Sequence, residues 1–392
     1  MLRRPSALGL GGDHMIYLDN AAGSHPKPPQ VAAALAAALE EFGANPGRGN
    51  YALTRRTAGM VAETRAKLAA LVHAPDPSRM VFTAGATMAA NMAINGLLRE
   101  GDHVVCSSLE HNAVFRPLAV LADAGRIRLH IVQADSAGYL RAEDVAAALT
   151  PATRLIAINH ASNVCGSVQP LAEIGAVAAA CHVPLLVDAA QSAGLLPLDI
   201  QRMHISLLVL AGHKALYGPA GIGALYVDSS VSLRPLLQGG TGSRSELRHQ
   251  PPDLPERLEA GSLNTAGIAA WSAALDFVRS TGIDALQAHA MRLTDRLAAA
   301  LQAHPRLRLQ LLPGETRPRV PLLSVATPER DPAEVAAALD AHGVCVRAGY
   351  HCAPLAHRTL GSFGEGTLRF SPGWFNTEEE IDAAAAALLA SI

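Results

Sequence analysis

Short, unbroken apolar runs recur along this chain between alanine-rich stretches, and that alternation restricts the fold more than any other feature. Met80-Val-Phe-Thr83, His103-Val-Val-Cys106, Leu129-His-Ile-Val132, Leu155-Ile-Ala-Ile158, Leu185-Leu-Val187 and Leu207-Leu-Val-Leu210 are too short for helices. Runs of this kind suit strands buried on both faces of a parallel sheet. Helix candidates lie between them, as at Leu171–Ala180, and another over 31–42 precedes them. In the latter, Val31, Leu35, Leu39 and Phe42 share one face. Strand–helix alternation predicts a doubly wound α/β core.

Beyond about Gly261 the pattern changes. Long Ala/Leu helices are expected over 268–280 and 283–304, strand-like segments over 320–326 and 344–347, and a last helix from Thr377. This reads as a smaller α+β domain joined by the N-terminal segment that precedes Pro26-Lys27-Pro28-Pro29. The expected division is a large domain over 30–263 and a small one built from 1–29 and 264–392.

Composition narrows the function classes. Apolar residues make up 49% and charged residues 17%, which is the balance of an ordered globular chain. A net charge of −2 without like-charge runs argues against a nucleic-acid partner. No apolar stretch approaches the roughly 18 residues of a membrane span. Five cysteines, at 106, 165, 181, 345 and 352, form no disulfide framework and point to reduced thiols in a cytoplasm. The N-terminus makes a poor signal peptide, because Gly11-Gly12-Asp13 breaks its short apolar stretch. A loose leader, or a start at Met15, is the expectation.

The chemistry-bearing residues stand at the ends of the apolar runs. Lys214 follows one in a Gly-rich turn, Gly212-His-Lys214 through Gly223, where an amine could capture an aldehyde. Asp188 ends another, at the sheet edge where α/β folds place ligands, and a buried carboxylate there needs a partner such as a pyridinium nitrogen. Gln191, three residues on, could reach a ring hydroxyl. Phe82-Thr-Ala-Gly-Ala-Thr87 reads as strand, turn and helix start at Thr87, which suits a phosphate but also an ordinary capped turn. His213 could bond the same phosphate. His111, in Glu110-His-Asn112, could stack on a flat ring and move protons. Cys352, in Arg347-Ala-Gly-Tyr-His-Cys352, lies in a turn-rich segment and reads as an exposed, reactive thiol. Arg369 lies on an expected strand, where a planar guanidinium could hold a carboxylate. A zinc site from His351, Cys352 and His357 matches no standard spacing, so no metal is expected.

Taken in order, Tyr17-Leu-Asp-Asn-Ala-Ala22, Phe82-Thr-Ala-Gly-Ala-Thr87, Glu110-His-Asn112, His160-Ala-Ser-Asn163, Asp188-Ala-Ala-Gln191, Gly212-His-Lys214, Leu258-Glu-Ala-Gly-Ser-Leu-Asn264, Arg347-Ala-Gly-Tyr-His-Cys352 and Arg369 with Asn376-Thr377 resemble class V aminotransferase-fold enzymes that use pyridoxal 5′-phosphate (PLP). The likeness is greatest to cysteine desulfurases and selenocysteine lyases of the group II type. It covers the chain from about Ile16 to the C-terminus.

The resemblance implies a PLP-dependent transferase of fold type I, with a seven-stranded, mainly parallel sheet in the large domain. It implies that Lys214 holds PLP, Asp188 pairs with the ring nitrogen, Gln191 with the ring hydroxyl, and His111 stacks on the ring. Ala86, Thr87 and His213 would hold the phosphate, with Ser262 reaching in from the other subunit of a homodimer. Asn163 and Arg369 would hold the substrate carboxylate, Cys352 would accept sulfur, and Arg347 would help position that step. The implied reaction cleaves the C–S or C–Se bond of L-cysteine or L-selenocysteine, gives alanine, and hands sulfur from a Cys352 persulfide to an acceptor protein or thiol. Other outcomes on the same scaffold are a β-lyase, a racemase or an aminotransferase; a non-PLP metal-binding protein is a more remote reading. Gly23, Ala86 and Ala211 stand where the family usually has a hydroxyl residue around the phosphate, and Ser262 replaces its usual Thr. Tyr51 stands where group II enzymes often place a His near the substrate.

Overall fold

A computed structural model of the chain describes residues 15–47, 49–310 and 316–392. The leader reading, on residues 1–14, lies outside them. Seven strands form the main sheet in the order Met80–Thr83, Gly223–Val227, Leu207–Ala211, Leu185–Asp188, Thr153–Asn159, Asp102–Ser107, Ile127–Val132. Pairing is parallel from Leu207–Ala211 to the Ile127–Val132 edge; Gly223–Val227 runs antiparallel to both its neighbours. All six apolar runs are strands. Gly223–Val227 is the seventh, hidden in the sequence because Gly-Ala opens it, although every residue is buried. The expectation of burial on both faces fails at Ile127–Val132. That edge strand exposes Arg128 and His130, two residues apart on one face, whereas the opposite edge strand Met80–Thr83 is wholly buried.

Helices cover both faces and bury two apolar cores against the sheet. Pro29–Glu41 packs on Thr265–Thr281. Its buried face holds Val31 and Ala38, whereas Leu39 is 73% exposed, so the expected Val31–Leu35–Leu39–Phe42 stripe is not the packed one. Small alanines permit close helix–helix approach and displace the leucine stripe to the surface. The 20-residue helix Ala52–Leu71 had no sequence signal, because Thr54, Thr57 and Thr64 are among its buried residues.

A second, antiparallel sheet runs in the order Arg347–Gly349, Thr367–Phe370, Leu323–Ala326, Arg308–Gln310. Helices Ile283–Leu301, Pro332–Ala341 and Glu378–Ala390 pack on it around a third core. Ile16–Tyr17 pairs in parallel with Val344–Cys345, which ties the N-terminal segment to this part of the chain. The expected strand over 344–347 is therefore two short strands in different sheets. Thr377 caps the last helix in a capping box with Glu380, as a Thr three residues before a Glu favours. Among the described residues no helix is long and apolar enough to cross a membrane.

Candidate active site

The carboxyl ends of the parallel strands open into a cleft of about 600 Å³. Ala86, Thr87, His111, Asn163, Asp188, Gln191, His213, Lys214, Arg347 and Arg369 all line it. Residues spread over nearly 300 positions converge because most sit just past strand ends that the register of the main sheet brings to one edge, while Arg347 and Arg369 come from the antiparallel sheet. Asn159 lies directly beside Asp188 in that register.

One end of the cleft has the features that suit an anion. Helix Ala86–Leu97 begins there with Gly85 as its N-cap, and no side chain caps it. Its first amides therefore face the cleft without intrahelical partners, and the dipole's positive end adds to them. Gly85 has φ +145°, and a Cβ on Gly223 would stand 2.7 Å from Gly85 Cα, so the close approach of strand and turn needs both glycines. The helix starts at Ala86, one residue before the expected start at Thr87. His213 lines the same end. Burial pushes its imidazole down to about 4, and the neighbouring Lys214 and Lys27 add to the effect.

The middle of the cleft suits a flat, cationic heterocycle. Asp188 is buried at a strand end, and its Oδ1 accepts from the Ala190 amide at 2.9 Å. His111 caps helix Asn112–Asp123: its Nδ1 accepts from the Ala113 amide at 3.0 Å, which fixes the ring and leaves Nε2 as the N–H. Burial pushes His111 down to about 4, so the ring is neutral near pH 7. Gln191 donates to Ala21 O at 3.0 Å and so fastens the N-terminal segment to the cleft wall. Asn163 donates to His351 O at 2.6 Å, while its buried Oδ1 has no partner among the described residues.

Lys214 enters beside these groups. Burial lowers its amine to about 8, with Asp188 opposing and Arg369 and Arg347 reinforcing the shift. An amine so placed has a substantial neutral fraction near neutrality and can act as nucleophile or base.

Two guanidiniums mark the far side. Arg347 and Arg369 are direct cross-strand partners. Arg369 is 1% exposed; it pairs with Asp19 at 2.8 Å and donates to Asn163 O at 3.1 Å, and its Nε has no partner among the described residues. Two like charges side by side, one buried, favour an anion between them and the cleft. Arg347 donates to Cys352 Sγ at 3.3 Å. Cys352 is exposed at the mouth and does not line the cleft itself. It follows His351 in a pair of left-handed non-glycine residues, at φ +60° and +49°, a conformation that costs about 1–3 kcal/mol per residue. The Asn112 amide donates to Cys352 O at 2.8 Å, so the thiol turn is tied to the helix that His111 caps.

Ser262 is exposed and outside the cleft of its own chain, and Tyr51 is exposed at the N-cap of Ala52–Leu71. His351 and His357, the remote metal ligands, bond instead to Thr367 Oγ1 and Ser362 Oγ, at 2.9 and 2.8 Å. Two site residues were passed over at the sequence level. Asp19, the partner of Arg369, sits in Tyr17-Leu-Asp-Asn-Ala-Ala22, where only distant pairing reveals its role. Glu110 is fully buried behind Asp188, with burial pushing its carboxyl up to about 8.

Comparison with known proteins agrees with this geometry. The sequence matches the family described as Aminotransferase class-V over residues 16–384. A probable cysteine desulfurase of Methanothermobacter thermautotrophicus is 36% identical, with 94% of this chain and 92% of that protein covered. A cysteine desulfurase of Dickeya dadantii is 35% identical over 97% of this chain and 92% of its own length. Among solved structures, the apo cysteine desulfurase from Thermococcus onnurineus superposes with a TM-score of 0.88 at 28% identity, covering 95% of this chain and 94% of that one. With a cleft of this composition and relatives matched along nearly their whole length, the chain belongs to the class-V aminotransferase family of PLP enzymes, alongside its cysteine desulfurases.

Proposed function

We propose that this protein is a PLP-dependent cysteine desulfurase that converts L-cysteine to alanine and carries the sulfur on Cys352. The observation that carries the reading is one cleft with an amine at Lys214, a carboxylate at Asp188 and an uncapped helix N-terminus at Ala86, whose mouth Cys352 adjoins through Arg347. A phosphorylated pyridine aldehyde fits this set. The free amides and His213 match a phosphate, Asp188 matches a protonated ring nitrogen, and the buried, unpartnered Asn163 Oδ1 and Arg369 Nε match a polar ligand beside it. Alanine at 86 and 211 and glycine at 23 remove hydroxyls that would each add about 1 kcal/mol at the phosphate. Gln191 would face the ring hydroxyl, and Ser262 of the partner subunit would complete the phosphate site in a cytoplasmic homodimer. The cofactor-binding domain would span 30–263, and the remainder, 1–29 and 264–392, would carry the Cys352 turn.

PLP, when bound, supplies an electron sink that takes up negative charge from the substrate's α-carbon. Lys214 would hold the cofactor, and its free amine, lowered to about 8, is suited to take the substrate's α-proton. Asp188 keeps the ring nitrogen protonated. Arg369 and Asn163 hold the substrate carboxylate and so aim its sulfur toward the mouth. The Cys352 thiolate attacks that sulfur: an Sγ–S bond forms, the substrate C–S bond breaks, and its electron pair returns to the carbon skeleton. Arg347, 3.3 Å from Sγ, favours the thiolate over the thiol. The carbon product is alanine, and the Cys352 persulfide goes to an acceptor thiol.

Quantifying amino-acid and keto-acid products from L-cysteine under a reductant tests the reading. Alanine with equimolar sulfide supports it. Pyruvate with ammonia would assign a β-lyase instead.

A further inference from the structure

Lys27, in Pro26-Lys27-Pro28-Pro29, has no task in the reaction above. Its ammonium donates to His213 O at 2.7 Å and to Ser24 Oγ at 2.8 Å. Ser24 Oγ in turn donates to Lys214 O at 2.9 Å, and the Ser24 amide donates to His213 O at 3.0 Å. The two carbonyls held are those on either side of Lys214 Cα. No carboxylate pairs with Lys27 among the described residues, and burial alone lowers its amine to about 8. A lysine half-buried against carbonyl and hydroxyl oxygens, without an anion, costs stability, and a loop connection does not require it.

The surrounding contacts say what the arrangement does. The segment from Asp19 to Lys27 meets Arg369 through Asp19 and Gln191 through Ala21, and it reaches the Lys214 turn through Ser24 and Lys27. Only the last of these contacts involves a cation with no carboxylate partner among the described residues. We propose that Lys27 is a positioning residue for Lys214: its ammonium pins the peptide carbonyl before Lys214 directly and the one after it through Ser24, fixing the direction in which the Lys214 amine enters the cleft. This rests on the reading that Lys214 captures an aldehyde cofactor.

The test separates capture from binding. Pyridoxamine 5′-phosphate has the ring and phosphate of PLP but no aldehyde, so its affinity does not depend on where Lys214 points. Full-length apoprotein is prepared as wild type, Lys27→Met, Lys27→Arg and Ser24→Ala. Pyridoxamine phosphate affinity is measured by fluorescence titration. Covalent PLP capture is measured by timed borohydride quenching and mass analysis of the Lys214 peptide. Lys27→Met should slow capture on the order of 10–100-fold, the usual cost of misplacing a reacting group by a fraction of an ångström to an ångström, with pyridoxamine phosphate affinity within about twofold of wild type. Lys27→Arg, which keeps a cation with several donors, should recover most of the rate. Ser24→Ala, which removes the link to Lys214 O and one acceptor of the Lys27 ammonium but leaves the Lys27 bond to His213 O, should show a smaller loss of the same kind, and it carries the test if Lys27→Met does not fold. Capture at the wild-type rate in Lys27→Met or Ser24→Ala would overturn the proposal, as would parallel loss of capture and pyridoxamine phosphate affinity. Wild-type protein that captures no PLP would instead refute the cofactor reading itself.

Discussion

Glu110 makes a quantitative prediction because its burial is complete and its partners are few. Its Oε1 accepts from Ser107 Oγ at 2.5 Å and from the Asn159 amide at 2.8 Å, while Oε2 is buried without a partner among the described residues. Burial pushes the carboxyl from an ordinary 4.5 up to about 8, and the nearby Asp188 charge adds to the shift. The folded chain therefore keeps a proton that the unfolded chain loses near pH 4.5. Between pH 4.5 and 8 the native state binds more protons, so stability falls as pH rises through that window. At about 1.4 kcal/mol per pKa unit, the loss is roughly 3 kcal/mol by pH 7 and at most about 5 kcal/mol above pH 8. Glu110→Gln cannot ionise. Its amide leaves a buried donor short of an acceptor, costing about 1–3 kcal/mol at every pH, but its stability does not decline across the window. In a chain this long 1 kcal/mol moves Tm by about 1 °C. The apoprotein Tm of Glu110→Gln minus that of wild type, followed by calorimetry from pH 5 to pH 8.5, should rise by about 3–5 °C. Parallel curves for the two proteins would refute the reasoning and mean that Glu110 is ionised in the fold.

Other expectations follow from the same geometry. Cys352→Ala should retain bound cofactor and its visible absorbance but lose alanine release from cysteine by on the order of 100-fold or more; release at the parent rate would remove the persulfide from the account. Asp188→Asn should lower kcat by a similar factor with a smaller change in KM, since the carboxylate acts chiefly after substrate has bound. Arg369→Lys should raise KM for cysteine about tenfold or more, because a point charge cannot replace the fork that holds a carboxylate; an unchanged KM would assign that anion to Arg347 instead. Thr377→Ala should cost about 1 kcal/mol through loss of the last helix's cap, with no effect on activity.

The core was readable wherever burial was symmetrical. Leu185-Leu-Val187 and Leu207-Leu-Val-Leu210 announce central strands because both faces are apolar. Ile127–Val132 misleads because one face of that edge strand is exposed at Arg128 and His130, and Gly223–Val227 hides because its opening glycine serves a close contact with Gly85 as well as burial. The site was legible through residues whose chemistry is unusual for their context, such as Lys214 after an apolar strand. Supporting residues were not. Asp19 is some 350 positions from Arg369, and Lys27 acts on a carbonyl 186 residues away, so neither leaves a local pattern. Glu110 looked like a loop residue beside His111, and only the fold shows that it is enclosed by two strand ends.

The central claim is a covalent link between Lys214 and a phosphorylated pyridine aldehyde. Protein saturated with PLP, reduced with borohydride and digested, should yield one peptide carrying the added pyridoxyl phosphate mass, and fragmentation should place it on Lys214. The added mass on another lysine, or on none, would contradict the account.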